Sequence, residues 1–415
     1  MTSERDRIPQ SAGDLRPFPP KLGRWIKRFS LILSVVAVNA CTQGPGAPAG
    51  GGVYNLLVGT YTGGGSEGIH VYRFDSSAGS VTPVSSAKTE NPSYLVPSRD
   101  GRIVYAVNEL PGDSGPASRR GGISAFGFDA ETGTLTFLNR VSAEGNDPCY
   151  LSLSPDGRYL VAANYSVASD PGGSFSVFPL AADGRVGAAV QTVHHQGTGP
   201  VRGRQDGAHV HSTVFSPDGR YLFVQDLGAD RIFEYRYTPD GGRRIFTPAD
   251  PRDTPVPAGS GPRHLVFSAN GRFAYVTNEL NASIGVYGYR DGRLAHIETV
   301  PMSEPGFKGK VGAAALHLSP DGRFLYASNR GDANEIVIYA VDADSGRLRL
   351  VGRQPSLGRT PREFLIDPSG RWLIVGNQDS DGFSVFRRDI LTGKLDPDAT
   401  VPVGKPVDFK LVPVP

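Results

Sequence analysis

Cysteine is almost absent from this 415-residue chain, which holds only Cys41 and Cys149. Two such residues cannot build a disulfide framework once Cys41 is modified as argued below, and no Cys-x-x-Cys pair offers a metal or redox site. An excess of charge of one sign is missing too. The formal net charge is +2, and residues 1–40 contain seven Lys or Arg and three Asp or Glu, leaving 36 basic against 38 acidic residues in the rest. Such a balance gives no support for nucleic-acid binding. No Walker-type phosphate loop occurs. After residue 50 no long stretch keeps helical apolar spacing, which argues against a helical core.

What the chain does have is turns. Glycine (53) and proline (34) are abundant, as many short strands require. One turn recurs six times: Ser98–Arg99–Asp100–Gly101–Arg102, Ser154 to Arg158, Ser216–Pro217–Asp218–Gly219–Arg220, Ser268–Ala269–Asn270–Gly271–Arg272, Ser319 to Arg323 and Asp367–Pro368–Ser369–Gly370–Arg371. The glycines are spaced by 56, 62, 52, 51 and 48 residues, a period that marks a repeat architecture. Pro at the second position, Asp or Asn at the third and Gly at the fourth suit a type I turn closed by a left-handed glycine, hence a hairpin between two apolar strands. Each repeat then reads as four antiparallel strands, the blade of a β-propeller. Six repeats and a first unit, Tyr54 to Thr60 and Gly68 to Phe74, make an all-β, seven-bladed propeller over 53–415. The first unit lacks an inner strand. The tail Pro406–Val407–Asp408–Phe409–Lys410–Leu411 resembles inner-strand entries such as Pro262–Arg263–His264–Leu265 and is expected to supply it, closing the ring and removing open sheet edges. The sequence Gly64–Gly65–Ser66–Glu67–Gly68 matches a nucleophile-elbow pattern, but it lies between two strands and reads as a hairpin loop.

The amino end reads as an address. Lys21, Arg24, Lys27 and Arg28 precede the apolar run Phe29 to Val38, too short to span a bilayer as a helix but suited to a signal peptide. Val38–Asn39–Ala40–Cys41 resembles a bacterial lipoprotein signal, so residues 1–41 are expected to be a lipoprotein-type signal segment in which Cys41 is lipidated and becomes the mature terminus, with 42–52 as a flexible tether. The expected location is periplasmic or membrane-anchored through the lipid alone, and cytoplasmic if the amino end is not a signal.

In an antiparallel hairpin, the start of the inner strand and the end of the second strand share one edge, opposite the Asp-Gly turns. The residues at those stations therefore collect on one face, around the central channel. They are His209 and His211, preceded by Arg204–Gln205–Asp206; Arg263 and His264; Asn278–Glu279; Asn329–Arg330; and Asn108–Glu109, Asn164–Tyr165, Asp226 and Asn377–Gln378–Asp379. The recurrent Asn suits a strand end on structural grounds alone, because it bonds local backbone. The His209/His211 pair lacks a third ligand at metal spacing, so no metal is expected.

These stretches, with Val58–Gly59–Thr60–Tyr61, Gln225 to Arg231, Gly261–Pro262–Arg263–His264, Ser328–Asn329–Arg330–Gly331 and Asn377–Gln378–Asp379–Ser380, resemble the lactonase family of seven-bladed propellers. That family contains propeller-type 6-phosphogluconolactonases and fungal carboxymuconate cyclases. The resemblance implies a hydrolase that opens a sugar lactone with an activated water and needs no cofactor. It carries catalytic roles to His211, Arg263, Glu279 and Arg330. His209, Arg204, Gln205, His264, Asn278, Asn329 and Gln378 are expected to bind substrate. Glu279 or His211 would be the general base; the two arginines would bind a phosphate or carboxylate and the developing oxyanion. A lactonising cyclase and a non-catalytic, membrane-tethered binding propeller remain as alternatives. The substrate is expected to be a small anionic lactone, and the protein a monomer. Ala208 stands where many relatives have Pro, and Ala313–Ala314–Ala315 replaces a more polar entry.

Overall fold

The computed structural model describes residues 51–111, 121–166, 172–242 and 244–415. The expected signal segment, Cys41 and all of the tether but positions 51 and 52 lie outside them.

Seven four-stranded antiparallel sheets follow one another along the chain. Blades 2 to 7 each run outward from an innermost strand; in blade 4 the strands are Val210–Phe215, Tyr221–Asp226, Arg231–Tyr237 and Phe246–Pro255. Blade 1 is composite: the tail strand Pro406–Pro413 lies innermost, against Val53–Thr60, with Leu56 opposite Leu411 and Val58 opposite Phe409. Among the described residues the only helical segment is a 3₁₀ turn, Gln378–Ser380, and no helix is long and apolar enough to cross a membrane.

All six repeated turns close on a left-handed glycine, with φ between 66° and 73°. Their side chains show why the sequence recurs. In blade 4, Ser216 Oγ donates to Asp218 Oδ1 (2.6 Å) and accepts from the Tyr221 N–H (3.0 Å), while Asp218 also accepts from the Arg220 N–H (3.1 Å). The sixth copy exchanges the two residue types and keeps the bonds: Asp367 accepts from the Trp372 N–H (2.8 Å) and from Ser369 Oγ (2.6 Å).

The core lies between blades. Val58 and Phe409 of blade 1 pack with Trp372, Ile374 and Phe383 of blade 7, and burying each such side chain contributes about 1.5–3 kcal/mol. The same junction is latched by polar contacts: Trp372 Nε1 donates to the Ser76 carbonyl (2.9 Å) and Ser76 Oγ to Asp367 (2.5 Å). The elbow-like Ser66 sits in a hairpin loop, buried, with its Oγ bonded to Thr60 Oγ1 (2.7 Å) and His70 Nε2 (2.8 Å).

One irregularity shapes the site. The pairing of the innermost with the second strand slips at the entry of blades 3, 4, 5, 6 and 7, between Pro148/Tyr150, Val210/Ser212, Pro262/Leu265, Ala313/Leu316 and Pro361/Glu363. Such a bulge leaves residues unpaired and re-aims their side chains. The residues skipped are Cys149, His211, Arg263 and His264, Ala314 and Ala315, and Arg362.

Candidate active site

Glu279 follows the second strand of blade 5 and is nearly buried (7% exposed). Its backbone N–H donates to the Gly261 carbonyl (2.7 Å), which pins it beside the strand that carries Arg263. Three arginines converge on its carboxylate, one from the loop that enters blade 4 and one each from blades 5 and 6. Arg204 Nη2 donates to Oε1 (2.5 Å); Arg330 Nη2 and Arg263 Nε each lie 3.0 Å from Oε2. Arg263 Nε is off the hydrogen-bonding line and is held by charge alone. Burial pushes the Glu279 carboxyl up, but Arg330, Arg263 and Arg204 outweigh it and hold its pKa at about 2. Burial, with Arg330 and Arg362 nearby, lowers Arg263 to about 10.

Arg330 is also laid back on backbone: Nε and Nη2 reach the Gly312 and Ala313 carbonyls (both 3.3 Å). The small residues of the Ala313–Ala315 entry let it lie there, and all three alanines are buried.

His211 stands across from this cluster. Its ring is edge-on to His264 (5.3 Å between centroids) and to Tyr165 (5.7 Å), and Nδ1 faces the Cys149 sulfur at 4.0 Å. Nε2 has no partner among the described residues. Burial, then Arg263, Arg362 and Arg330, hold the imidazolium pKa well below its usual value, so the ring is neutral near pH 7. Burial likewise raises the Cys149 thiol well above its usual range, which makes it a poor nucleophile. His264 is held neutral by burial and by Arg263; its Nε2 accepts from Arg263 Nη1 (3.1 Å). Further along the channel Glu363 accepts from His317 Nε2 (2.7 Å), and Tyr94 stacks on Tyr150 (4.1 Å).

His209 supports the site from beneath. It stacks on Tyr165 (4.6 Å), donates from Nδ1 to the Tyr165 carbonyl (3.0 Å), and its N–H is held by Asp226 (2.8 Å). Asp226 in turn accepts from His195 (3.0 Å), which also meets the Tyr235 hydroxyl (2.9 Å), so a fully buried carboxylate fixes the strand entry that presents His211.

Thus His211, Arg263, Glu279 and Arg330 come together with Arg204 and His264. The other expected substrate contacts do not face this cluster, and each has a physical reason. Gln205 is fully buried and spends both amide ends on backbone, at Val201 (3.1 Å) and Leu227 (2.8 Å). Asn278 is fully buried and donates to Ser283 (2.9 Å); Asn329 is fully buried and bridges the Gly312 N–H and Glu335 (3.3 Å each). Gln378 donates to its neighbour Asp379 (3.2 Å). These four hold the frame. Tyr165, Cys149, Tyr61, Glu109 and Arg362 join the site instead. The repeat carries a signal for four of them: Cys149 and Arg362 occupy the station of Arg263, and Glu109 and Tyr165 that of Glu279. Among the described residues no three His, Cys, Asp or Glu gather as a metal site requires.

The family model described as "Lactonase, 7-bladed beta-propeller" matches residues 55–411. The chain is 36% identical over 334 residues to a 6-phosphogluconolactonase of Formosa agariphila, covering 79% of this chain and 90% of that one. It is 32% identical over 367 residues to a 6-phosphogluconolactonase of Bacillus subtilis, covering 86% and 98%. Among solved structures, a periplasmic gluconolactonase of Pseudomonas aeruginosa superposes with a TM-score of 0.84 at 49% identity, covering 88% of this chain and all of the other.

Proposed function

This chain belongs to the seven-bladed β-propeller lactonase family, and from that membership we propose a lactone hydrolase acting outside the cytosol on a sugar lactone, with His211 as the general base. The observation that carries the base assignment is the contrast between the two candidates. Glu279 has its charge satisfied by three arginines at about pKa 2, so it is a weak proton acceptor tied at both oxygens. His211 is neutral, and its Nε2 has no partner among the described residues.

Water bound at Nε2 would lose a proton to the ring as its oxygen attacks the lactone carbonyl. The resulting tetrahedral oxyanion is formed beside largely buried guanidinium groups, where charge stabilisation is strong. Collapse breaks the ring C–O bond, and the alkoxide recovers the proton from His211. Glu279 positions Arg204, Arg263 and Arg330 rather than moving a proton. The four arginines against Glu279 and Glu109 leave the rim net positive, which favours an anionic lactone over a neutral one. Export is supported by the basic and apolar pattern of residues 21–41 and by the periplasmic relative. No step needs a metal, so a chelator should leave turnover unchanged.

The test is a panel of gluconolactone, 6-phosphogluconolactone and a carboxymuconate given to the purified protein, read as acid release or lactone consumption above the spontaneous rate. Hydrolysis of one or more lactones is expected. Cyclisation of the muconate without lactone hydrolysis would overturn the reading.

A further inference from the structure

We infer that Arg362 is the residue that touches the lactone carbonyl oxygen and stabilises it as it becomes an oxyanion, an inference that rests on the lactonase reading above. Arg362 is the residue skipped by the bulge at the entry of blade 7, as His211 is in blade 4 and Arg263 in blade 5. The same local geometry therefore re-aims all three out of their ladders at one rim.

What separates Arg362 from the other rim arginines is how its donors are used. Arg204, Arg263 and Arg330 share one carboxylate, and Arg330 and Arg263 have further acceptors on backbone and His264. Arg362 makes no hydrogen bond among the described residues. Its guanidinium lies over the Tyr61 ring (5.3 Å), and Nη2 stays 3.8 Å from Glu109, beyond hydrogen-bonding distance. Glu109 has spent itself elsewhere, accepting from the Tyr61 hydroxyl (2.7 Å) and from Ser93. The Arg362 side chain is only 17% exposed. A guanidinium this buried, whose five donors meet no acceptor among the described residues, is held ready for an oxygen of the substrate.

Two observations select the carbonyl oxygen over a permanent dianion such as phosphate. Arg362 is near enough to His211 for its charge to help keep that ring neutral, and near enough to Cys149, which touches His211, to act on its thiol. It thus shares with Arg263 the surroundings of His211, where the attacked carbon must lie. Glu109 also stands at 3.8 Å, so a dianion bound to Arg362 would be pressed against a carboxylate. An oxygen neutral in the substrate and charged only in the transition state meets that repulsion briefly, and binding realised only there is what raises turnover.

The bookkeeping is simple. As the water oxygen bonds to the carbonyl carbon, the π pair moves to the oxygen and Arg362 donates to it. When the pair returns, the ring C–O bond breaks and the ring oxygen takes the proton from His211. Lactone and water give the hydroxy acid, with nothing oxidised or reduced.

The experiment compares the parent with Arg362→Met and Arg362→Lys on neutral gluconolactone and on its 6-phosphate, and titrates each protein with gluconate. Arg362→Met should lose about 10²-fold in kcat on both lactones, with KM little changed. Arg362→Lys, a point charge without the planar fork, should recover part of the loss. It decides the matter alone if the Met variant does not fold. Gluconate, whose carboxylate brings an anionic oxygen to the same place, should bind at least tenfold more weakly to the Met variant. A loss confined to the KM of the phosphorylated lactone would overturn the assignment, because Arg362 would then be a phosphate anchor; so would unchanged kcat in both variants. A parent that hydrolyses neither lactone defeats the lactonase reading by itself. The gluconate titration then still tests Arg362, and equal binding by parent and variants rejects its contact with the anionic oxygen.

Discussion

At the scale of the residue, the site is an argument about counter-ions. Glu279 satisfies Arg204, Arg263 and Arg330 at once. In Glu279→Gln these cations lose their shared anion, two of them nearly buried. Removing one partner of a buried pair costs of the order of 3 kcal/mol, less the share of half-exposed Arg204. Activity and Tm should therefore fall together, by about 10²-fold and several degrees; an unchanged Tm with lost turnover would return Glu279 to the role of base. The pH profile tests His211 separately. A base acts in its neutral form, and that form is lost as pH falls through the imidazolium pKa. Burial and three arginines hold this pKa well below 6.5, so kcat/KM should stay flat from pH 7.5 to 6 and decline only below. An acid limb centred near 6.5 would contradict the assignment. His211, Arg263, Glu279 and Arg330 were legible from sequence through a resemblance and a shared station. Arg362 was not singled out: what sets it apart is that its five donors meet no acceptor among the described residues, a property of the assembled rim. Gln205 failed in the other direction, since a polar residue beside an active-site motif can still turn inward to close a loop.

At the scale of the element, the strongest signals were backbone signals. A left-handed glycine and a Ser–Asp pair are local demands, so the six hairpins could be read residue by residue. The bulges could not. A bulge is a mismatch between two strands, and the entry Pro marks only where the inner strand starts. The outer linking turns carry a further constraint. Gly346 has φ 72°, and a Cβ there would lie 2.5 Å from the Phe273 ring of the neighbouring blade. Gly346→Ala combines left-handed strain of about 1–2 kcal/mol with an overpacked ring contact of about 1–3 kcal/mol. A thermal shift should show a clear loss of Tm, while Gly352→Ala, with open space around its Cβ position, should stay near the parent.

At the scale of the whole molecule, both ends of the propeller meet in one sheet, and the ring depends on it. The match of Pro406–Leu411 to other inner strands made this closure readable, although the partners lie some 350 residues apart, because blade 1 lacks nothing but the strand the tail supplies. Ending the chain after Gly404 removes the innermost strand of blade 1 and uncovers the junction of Val58 with Trp372 and Phe383. That protein should be recovered aggregated or with no cooperative unfolding transition; a parent-like Tm would show that the ring closes without its tail. Closure matters for chemistry because His211, Glu279, Arg330 and Arg362 come from blades 4, 5, 6 and 7 and meet only when the ring is complete. The most direct measurement is the initial rate of lactone hydrolysis by the parent and by His211→Asn, with Tm read on the same samples. The expected result is a parent rate well above the spontaneous one and a variant about 10²–10⁴-fold slower at a Tm close to the parent's. Equal rates in the two proteins, on a lactone the parent clearly opens, would contradict it.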